Sequence, residues 1–387
     1  MLKRQIKLPK NKSFFLFGPR QVGKSTLIDQ AYTKHLWKID LLLNDVFFQY
    51  SKNVSLFRRE AIEKIKNEKI KIIFIDEVQR LPEILNEVQY LMQNFKCQFI
   101  LTGSSARKLK RRGVNLLGGR AVQRFLFPFT YEELKSDFEL DNALLFGTLP
   151  PLMEKSNEEK TDVLNSYVNT YLREEIQSEG IVRNLGGFSR FLDMACSQFG
   201  ELTSFSEISR ECQIPVRTTQ SYYEILEDTL IGFKLEPWRK SLRKRLIAHP
   251  KFYFFDCGIV NALNKRLTAQ TDNMLKGRLF EQFIILETYR KISYLQDEAN
   301  IFYWRTNHGA EVDLLIEKHG KIKAAIEIKL SSNISGSHLS GLRSFKEEHP
   351  QVKKYVICLA KNKFKLNDIV ILPWEKYLRE ELKEILH

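Results

Sequence analysis

The sequence lacks the paired cysteines that mark zinc sites and disulfide frameworks. Five cysteines are scattered over the 387 residues, and no C-x-x-C occurs among them. This usage suits a reducing compartment and argues against a zinc site. We therefore expect a cytoplasmic protein. The cysteines are Cys97, Cys196, Cys212, Cys257 and Cys358.

Long hydrophobic runs are also missing. No apolar stretch approaches the ~18–20 residues that a bilayer-spanning helix needs. The stretch from Met1 to Lys7 contains no apolar segment that would serve as a signal peptide. There is neither a low-complexity tract nor an internal repeat. The absence of long apolar runs predicts no membrane partner. The length predicts two or three globular domains with sizeable cores.

Acidic residues are scarce in the first third of the chain. Residues 1–130 hold 25 lysines and arginines against 10 aspartates and glutamates, whereas the remainder holds 36 against 37. The densest basic cluster is residues 107–113. A basic region of this kind predicts an anionic partner, and nucleic acid is the usual one. The alternative is a solvated basic surface.

One stretch fits the nucleotide-binding pattern G-x-x-x-x-G-K-[ST] without a mismatch. An apolar strand, residues 14–17, precedes it, and a helical pattern follows it. The glycines let the backbone wrap an oligophosphate, and the loop N–H groups point at negative charge. Lys24 is expected to reach the β- and γ-phosphates, and Ser25 to hold Mg²⁺. The predicted ATP-binding residues are Gly18, Pro19, Arg20, Gln21, Val22, Gly23, Lys24, Ser25 and Thr26.

A second segment, residues 71–77, is an apolar run that ends in two carboxylates. Such a run predicts a parallel strand buried on both faces, and its carboxyl end is where open α/β sheets place ligands. We expect Asp76 to act in the Mg²⁺ shell and Glu77 to orient and deprotonate the attacking water. The acidic pair therefore favours ATP hydrolysis over mere binding.

A third strand, residues 97–102, ends in small hydroxyl residues, Ser104 and Ser105. These would sense the γ-phosphate or position water, or they form a plain turn. Arg107 and Arg120 follow. Either would serve as an arginine finger, in cis or from a neighbouring subunit, and either can equally be a surface arginine.

Strands and helices alternate over residues 1–130, which predicts an α/β core with a parallel sheet. Residues 131–185 are expected to form a helical lid or linker. It opens with the capping-box pattern Thr130–Glu133. Residues 186–250 have the pattern of a winged helix-turn-helix, followed by a fourth region, residues 251–387. These four segments are the predicted domains.

The winged-helix pattern contains a predicted helix at residues 188–199 and a short helix with a capping box at residues 204–212. A turn at residues 213–215 then leads into a recognition helix that starts at residue 216. Polar side chains early in that helix, Arg217, Thr218 and Gln220, suit phosphate or base-edge contacts. Many winged helices bind only protein, so both partners stay open.

The last region contains two alternating segments, residues 311–316 and 324–329, around a turn signal at residues 318–321. A hairpin centred on Gly320 places Asp313 opposite Glu327 and Glu311 opposite Lys329. Period-two alternation puts all four side chains on one face. A bulge in the turn would shift this register by one residue.

Three carboxylates and one lysine on a sheet face predict a Mg²⁺ site in which Asp313 and Glu327 are ligands. Lys329 would position a water or stabilise a phosphoryl oxyanion. Glu281, on an amphipathic helix, would add a fourth acid. The spacing D-x13-E-x-K matches the PD-(D/E)xK nuclease pattern. The alternative is a hairpin face with cross-strand ion pairs.

Together these residues resemble the bacterial and archaeal AAA-type ATPases with a C-terminal domain of unknown function. The resemblance rests on residues 15–25, 75–79, 101–105, 117–120 and 251–258, and on four further stretches at residues 277–281, 302–305, 311–313 and 326–329. It implies an AAA-type ATPase core, a winged helix and an α/β PD-(D/E)xK nuclease-like domain. Ser25 departs from the threonine more frequent in the family and retains the hydroxyl.

The combined expectation is a Mg²⁺-dependent ATPase that acts on, or is regulated by, nucleic acid, most naturally DNA. Its C-terminal domain would carry a metal-dependent nuclease centre. Two alternatives remain: a DNA-remodelling ATPase whose nuclease-like fold only grips DNA, and an ATP-gated switch that contacts protein. A homo-oligomer, either a ring or a dimer, is expected where a neighbour's arginine completes the ATP site.

Overall fold

The computed structural model describes residues 2–105, 117–172, 184–239, 249–269 and 272–387. The basic cluster at residues 107–113, including Arg107, lies outside the described residues. The chain divides into two compact units. The N-terminal unit comprises Arg4–Pro128 and Asp228–Ile231, and the C-terminal unit comprises Met1–Lys3, Phe129–Glu227 and Gly232–His387. The finer division into four domains stays a prediction.

The N-terminal unit is built on a five-stranded sheet in which every pairing is parallel. The strand order is β2-β3-β4-β1-β5. The first, third and fourth strands are apolar and almost wholly buried, because helices cover parallel sheets on both faces. The strands are β1 (Phe14–Phe17), β2 (Leu36–Asp40), β3 (Ile72–Asp76), β4 (Gln98–Gly103) and β5 (Val122–Phe125).

Strands and helices alternate in this unit, as the sequence predicts. The chain runs from β1 to the far edge, returns strand by strand through β3 and β4, and passes β1 to reach β5. The carboxyl ends of β1, β4 and β3 are therefore neighbours. The helices are α1 (Lys24–Ala31), α2 (Asn44–Lys52), α3 (Val54–Asn67) and α4 (Ile84–Asn94), with 3₁₀ turns at Val78–Arg80 and Leu117–Gly119.

The C-terminal unit begins with short helices. The Thr130 side chain accepts from the Glu133 backbone N–H and Glu133 accepts from that of Thr130, which confirms the predicted capping box. Gly147 ends the second of these helices, and a 3₁₀ turn follows it at Pro150–Leu152. The elements are α5 (Tyr131–Leu134), α6 (Leu140–Phe146) and α7 (Asn157–Ser166), with 3₁₀ turns at Lys135–Asp137 and Pro150–Leu152 and a π-helix at Tyr167–Leu172.

Three helices and a two-stranded antiparallel sheet follow, in the order expected of a winged helix. The capping box predicted at Ser204 is wrong, because that side chain makes no cap hydrogen bond. At the other end of that helix, Gln213 begins the predicted turn in a left-handed conformation, with φ 54°. The elements are α8 (Leu185–Ser197), α9 (Phe205–Cys212), α10 (Val216–Asp228), β6 (Gly232–Leu235) and β7 (Lys251–Phe254).

A six-stranded mixed sheet forms the rest of the C-terminal unit, in the order β12-β13-β11-β10-β9-β8. The pairings β10–β11 and β11–β13 are parallel, and the other three are antiparallel. The α/β class is thereby confirmed in both units. The strands are β8 (Asn300–Arg305), β9 (Glu311–Lys318), β10 (Lys321–Lys329), β11 (Lys353–Cys358), β12 (Phe364–Leu366) and β13 (Ile369–Pro373).

The longest helix of this unit has 23 residues and buries polar as well as apolar side chains. None of the described helices combines the length and apolar character required to cross a bilayer. The helices are α11 (Cys257–Leu263), α12 (Asn273–Leu295), α13 (Ser340–Glu348), α14 (Trp374–Lys376) and α15 (Leu382–Leu386), with a 3₁₀ turn at Gly336–Leu339 and a π-helix at Tyr377–Glu381.

Candidate functional site

The phosphate-loop residues lie between β1 and α1, as predicted. The two glycines of the pattern are required for different reasons. Gly23 caps α1 at φ +88°, a conformation that L side chains rarely adopt. A Cβ at Gly18 would lie 2.3 Å from the carbonyl oxygen of Leu126, so no side chain fits there. Gln21 also has a positive φ of 63°. The loop backbone is therefore tightly turned from its start to the helix.

Lys24 is buried and folds back over its own loop. Its ammonium donates to the carbonyl oxygens of Gly18 at 2.9 Å and Pro19 at 3.0 Å. The charge is thus held at the start of the loop, close to the turn that the glycines make. An ammonium at this position can exchange those carbonyl bonds for phosphate oxygens, to which it bonds more strongly.

The side chains predicted for magnesium converge from different strands. The Ser25 hydroxyl donates to Asp76 Oδ2 at 2.5 Å, and the Thr102 hydroxyl donates to Asp76 Oδ1. Asp76 ends β3, Thr102 lies on β4, and Ser25 follows the loop after β1. A hydroxyl and a buried carboxylate this close supply the hard oxygen ligands that Mg²⁺ prefers. The described residues therefore fit the metal.

The Glu77 carboxylate is bound by Gln79, to which the sequence analysis assigned no role. The Glu77 backbone is left-handed, with φ 54° and ψ 46°, and the Glu77 N–H donates to Thr102 Oγ1 at 3.2 Å. The buried Gln79 amide donates to the Glu77 carboxylate and, at 3.0 Å, to Ser104 Oγ. Gln79 thus connects the predicted base to the predicted phosphate sensor. Its position two residues after Glu77 was the available signal.

Arg120 lies at the amino end of the parallel strands, opposite the end that carries the phosphate loop. The strand pairing joins Phe14 to Val122, so Arg120 precedes the amino end of β5, whereas the phosphate loop follows the carboxyl end of β1. The four residues of β1 separate the amino and carboxyl ends of the strand by about 13 Å. Arg120 is exposed. The structure therefore does not bring Arg120 to the phosphate loop of its own chain.

A second candidate site lies on the hairpin of β9 and β10. The turn residues are His319 and Gly320, and Lys318 pairs with Lys321, so the register next to the turn differs by one residue from that of a hairpin centred on Gly320. A bulge between Ile322 and Ala324 shifts the ladder by one residue, so that Ala324 pairs with Ile316. Beyond the bulge the pairing is the one that the sequence predicted. The turn error and the bulge cancel.

The predicted nuclease residues are brought together. Lys329 Nζ lies 2.7 Å from Glu327 Oε1 and 3.6 Å from Asp313 Oδ2. Asp313 Oδ2 also accepts from the Ile328 N–H at 2.8 Å. Burial raises the pKa of Asp313 to about 6 and that of Glu327 to about 8, with neighbouring carboxylates adding to both. Burial lowers the pKa of Lys329, but the charges of Asp313 and Glu327 outweigh it and raise the pKa.

Sequence reasoning missed Lys251, which joins this cluster from β7. Its ammonium lies 2.6 Å from Glu311 Oε1 and 3.3 Å from Glu281 Oε1. The Tyr253 hydroxyl donates to Glu281 at 2.6 Å. Burial lowers the pKa of Lys251, but the charges of Glu281, Tyr253 and Glu311 raise it well above its ordinary value. Alternation of Lys251 and Tyr253 on one strand face was the available signal.

The fit to a metal differs between the two sites. Across the described ranges, no three Asp, Glu, His or Cys side chains are arranged to hold a metal ion. In the hairpin cluster, lysine ammonium groups face the carboxylates of Glu281, Glu311, Asp313 and Glu327. The side-chain arrangement at this second site does not fit a divalent cation.

The predicted recognition helix presents the expected side chains. Arg217 and Gln220 are exposed and Thr218 is partly exposed, whereas Thr219 is fully buried against the helical core. The sequence has a basic run at residues 239–245, where a wing would lie, and residues 240–245 of this run are outside the described residues. DNA contact by this helix stays a prediction.

Three family models match the chain in succession. Residues 10–135 match the AAA domain, residues 137–271 match Domain of unknown function (DUF8612), and residues 276–377 match Domain of unknown function (DUF4143). The chain carries an AAA domain and a C-terminal domain of unknown function. This confirms the resemblance that the motifs indicated. The phosphate loop and the Asp76–Glu77 pair both lie inside the AAA domain.

Relatives span most of the chain. An uncharacterized protein of Mycobacterium tuberculosis is 27% identical over 306 residues, covering 78% of this chain and 67% of the relative. One of Methanocaldococcus jannaschii is 23% identical over an alignment of 426 residues, covering 97% and 86%.

Similar solved structures include the Aeropyrum pernix ORC1 protein in complex with DNA, at 13% identity, with 66% of this chain and 87% of that chain covered and a TM-score of 0.28. Another is the replication initiator DnaA bound to AMPPCP and single-stranded DNA, at 17% identity, 56% and 82% coverage and a TM-score of 0.26.

Proposed function

We propose that the protein is a Mg²⁺-dependent ATPase that acts on, or is regulated by, DNA. The observation that carries the proposal is the convergence of Lys24, Ser25 and Asp76 at neighbouring strand ends, with Glu77 directly after Asp76. Their types and order suit phosphoryl transfer, in which the protein mainly positions groups and stabilises charge. The four free buried cysteines among the described residues suit a reducing, cytoplasmic setting.

Each residue has a distinct task in this proposal. The loop N–H groups and Lys24 bind the triphosphate. Ser25 and Asp76 would hold Mg²⁺, which supplies charge neutralisation at the phosphate oxygens when bound. Glu77 accepts a proton from the attacking water, and Gln79 orients the Glu77 carboxylate. Ser104, bonded to the same amide, is placed to sense the terminal phosphate.

The test is ATP turnover and Mg-nucleotide affinity of the Lys24→Ala variant. Lys34→Ala, which removes an exposed lysine of the same unit, is the matched control. We expect turnover to fall to background in Lys24→Ala and to persist in the control. Undiminished turnover in Lys24→Ala would refute the ATPase assignment, as would calorimetry of the wild type that detects no Mg-nucleotide affinity.

DNA binding is proposed from charge and from the exposed start of α10. Phosphate contacts release counterions, so the logarithm of the affinity should fall linearly with that of salt, with a slope of about −0.9 per phosphate contacted. Arg217→Ala should make this slope shallower by about one, whereas Arg343→Ala on α13 should leave it unchanged. No DNA affinity at low salt would favour the protein-contacting switch.

A homo-oligomer is proposed because Arg120 and the phosphate loop of its own chain lie at opposite ends of the parallel strands. The test mixes two inactive variants, Arg120→Ala and Lys24→Ala. A neighbour's Arg120 would restore turnover at the intact loops of the Arg120→Ala subunits. Full activity of Arg120→Ala alone, or no recovery on mixing, would count against the shared site. Size measurement with a non-hydrolysable ATP analogue would report whether the assembly is a ring or a dimer.

Metal-dependent DNA cleavage is a second candidate. The observation that favours it is Glu327 Oε2, which is buried without a hydrogen-bond partner beside Asp313 and Lys329. Such an orphaned oxygen is costly unless it serves a ligand. Because lysines face these carboxylates in the DNA-free protein, cleavage would require the cluster to admit a metal once DNA is bound. In that case plasmid incubated with Mg²⁺ or Mn²⁺ should be cut by the wild type and not by Asp313→Ala. Equal cutting by both would assign the activity to a contaminant, and no cutting would favour the DNA-gripping fold.

A further inference from the structure

We propose that Lys251 is the resident cation of the acidic cluster in the C-terminal unit and that it keeps divalent metal out of the cluster while it is in place. This inference is independent of ATP hydrolysis. For the candidate nuclease centre, it means that the centre is closed by a side chain of the same chain. The occupant comes from β7, and the acids come from α12, β9 and β10.

The environment of Lys251 differs from that of an ordinary buried lysine. Lys354 is 3% exposed, and its ammonium bonds two backbone carbonyl oxygens and one half-exposed carboxylate, Asp368. Lys251 is 4% exposed and its ammonium contacts the carboxylates of Glu281 and Glu311. Its charge also lies 5.6 Å from the ring of Tyr303. Lys251 is thus coordinated by acids.

Lys251 neutralises part of the negative charge of the cluster. Four carboxylates, those of Glu281, Glu311, Asp313 and Glu327, face Lys251, Lys329 and Arg305. When all four carboxylates are ionised, the cluster carries one net negative charge, and loss of Lys251 raises this to two, the charge that one divalent cation neutralises. Buried carboxylates do not tolerate that imbalance, so removal of the ammonium should create a metal site.

The second indication of a ligand is independent of Lys251. Glu327 uses Oε1 to bind Lys329, and its buried Oε2 has no partner among the described atoms. An oxygen in that state is available to a cation that enters beside Asp313. The cluster therefore contains a bound ammonium, that of Lys251, and an unpaired carboxylate oxygen, Glu327 Oε2, that could accept a cation.

Lys251 lies on a different sheet from the strands that carry three of its acids. It is the first residue of β7, where it pairs with Leu235 of β6 and bridges to Leu202. None of these partners belongs to the six-stranded sheet that carries Glu311, Asp313 and Glu327. The segment after β6 is anchored to that sheet, because the Trp238 N–H donates to the Tyr303 carbonyl at 2.6 Å and the Tyr303 N–H donates to that of Glu236 at 3.1 Å. The ammonium is therefore held beside its acids.

The experiment measures Mn²⁺ binding to the full-length, nucleotide-free protein by electron paramagnetic resonance. The variants are wild type, Lys251→Gln, the double variant Lys251→Gln with Asp313→Asn, and Lys354→Gln as a matched loss of a buried lysine. We expect Lys251→Gln to gain one Mn²⁺ site at least tenfold tighter than any wild-type site. The double variant should lose that site, and Lys354→Gln should not gain it.

A second measurement covers poor folding of Lys251→Gln. Mn²⁺ should then raise its thermal unfolding temperature, or restore its fold, without changing that of the wild type. Comparison of wild type with Asp313→Asn needs no change at Lys251, and the two should bind Mn²⁺ equally. Wild-type binding that depends on Asp313 overturns the proposal, as does a folded Lys251→Gln variant that gains no site.

Discussion

The Ser25 hydroxyl lies 2.5 Å from Asp76 Oδ2, although the two residues are 51 positions apart in the chain. The strand order explains the contact, because β4 alone separates β1 from β3 and the loop after β1 reaches across it. Thr102, on that intervening strand, binds the other oxygen of Asp76. The sheet topology therefore assembles the oxygen groups proposed for Mg²⁺ before nucleotide arrives, which lowers the cost of ordering them.

Replacement of Ser25 tests this arrangement. Ser25→Ala removes the hydroxyl from Asp76, so we expect Mg-ATP to bind at least about tenfold more weakly, ~1.4 kcal/mol. Binding of ATP without Mg²⁺ should change much less. Ser25→Thr is the matched control, because it retains the hydroxyl. Calorimetry with and without Mg²⁺ measures both, and equal losses in the two conditions would assign Ser25 a purely structural role.

Gln79 is expected to set the catalytic rate rather than nucleotide affinity. Gln79→Ala frees the Glu77 carboxylate and breaks its connection to Ser104, so kcat should fall about ten- to hundredfold with KM nearly unchanged. Glu77→Gln should retain nucleotide binding and lose hydrolysis. Steady-state ATPase assays give both parameters.

The matched control for Gln79 is Gln98→Ala. The Gln98 amide also makes two hydrogen bonds, to the carbonyl oxygens of Pro9 and Lys12, but at the amino end of β4. Its loss should lower stability and leave kcat unchanged. A similar fall in kcat for both variants would mean that Gln79 acts through the stability of the sheet.

Features set by contiguous residues were predictable from the sequence. The phosphate loop needs glycine, lysine and serine at fixed spacing. The apolar run of β3 ends at Asp76, and Glu77 follows it directly, so the sequence places both carboxylates at the end of the strand. The Thr130 capping box likewise depends on residues three apart. For Ser204 the same spacing failed, because the helix forms without the side-chain bond.

Features set by tertiary packing were not predictable. Lys251 lies 60 residues before Glu311, and only tertiary packing brings its ammonium within 2.6 Å of Glu311 Oε1. The hairpin register was predicted for an incomplete reason, since the real turn is offset and a bulge before Ala324 restores the pairing. The distance of Arg120 from the loop follows from the parallel pairing of β5 with β1, which puts Arg120 at the amino end of the strands and the loop at their carboxyl end.

A pH dependence is expected from Glu287. Burial raises its pKa from 4.5 to about 7, although Arg290 lowers it. Because the native pKa exceeds the unfolded one, the native state holds more protons between about pH 4.5 and 7. The stability contributed by this group therefore falls as pH rises through that window. Glu287→Gln should flatten the fall in urea midpoint, while exposed Glu347→Gln should not. An unchanged slope in Glu287→Gln would show that other groups dominate.

Gly147 ends α6 at φ +75° and ψ −162°, a conformation that is almost restricted to glycine. A Cβ there would lie 1.7 Å from Asp256 Oδ1. That buried carboxylate accepts from the Thr148 and Gly258 N–H groups at 2.9 Å each. A side chain at Gly147 would therefore displace the acceptor of two buried donors.

Gly147→Ala should lower the free energy of unfolding by about 3–5 kcal/mol, because backbone strain adds to unpaired buried N–H groups. Gly320→Ala separates the two causes. Gly320 also has a positive φ, 73°, but nothing lies within 4 Å of a Cβ there. It should cost only about 1–2 kcal/mol. Urea unfolding followed by circular dichroism measures both variants, and equal losses would mean that contact with Asp256 adds nothing to the strain.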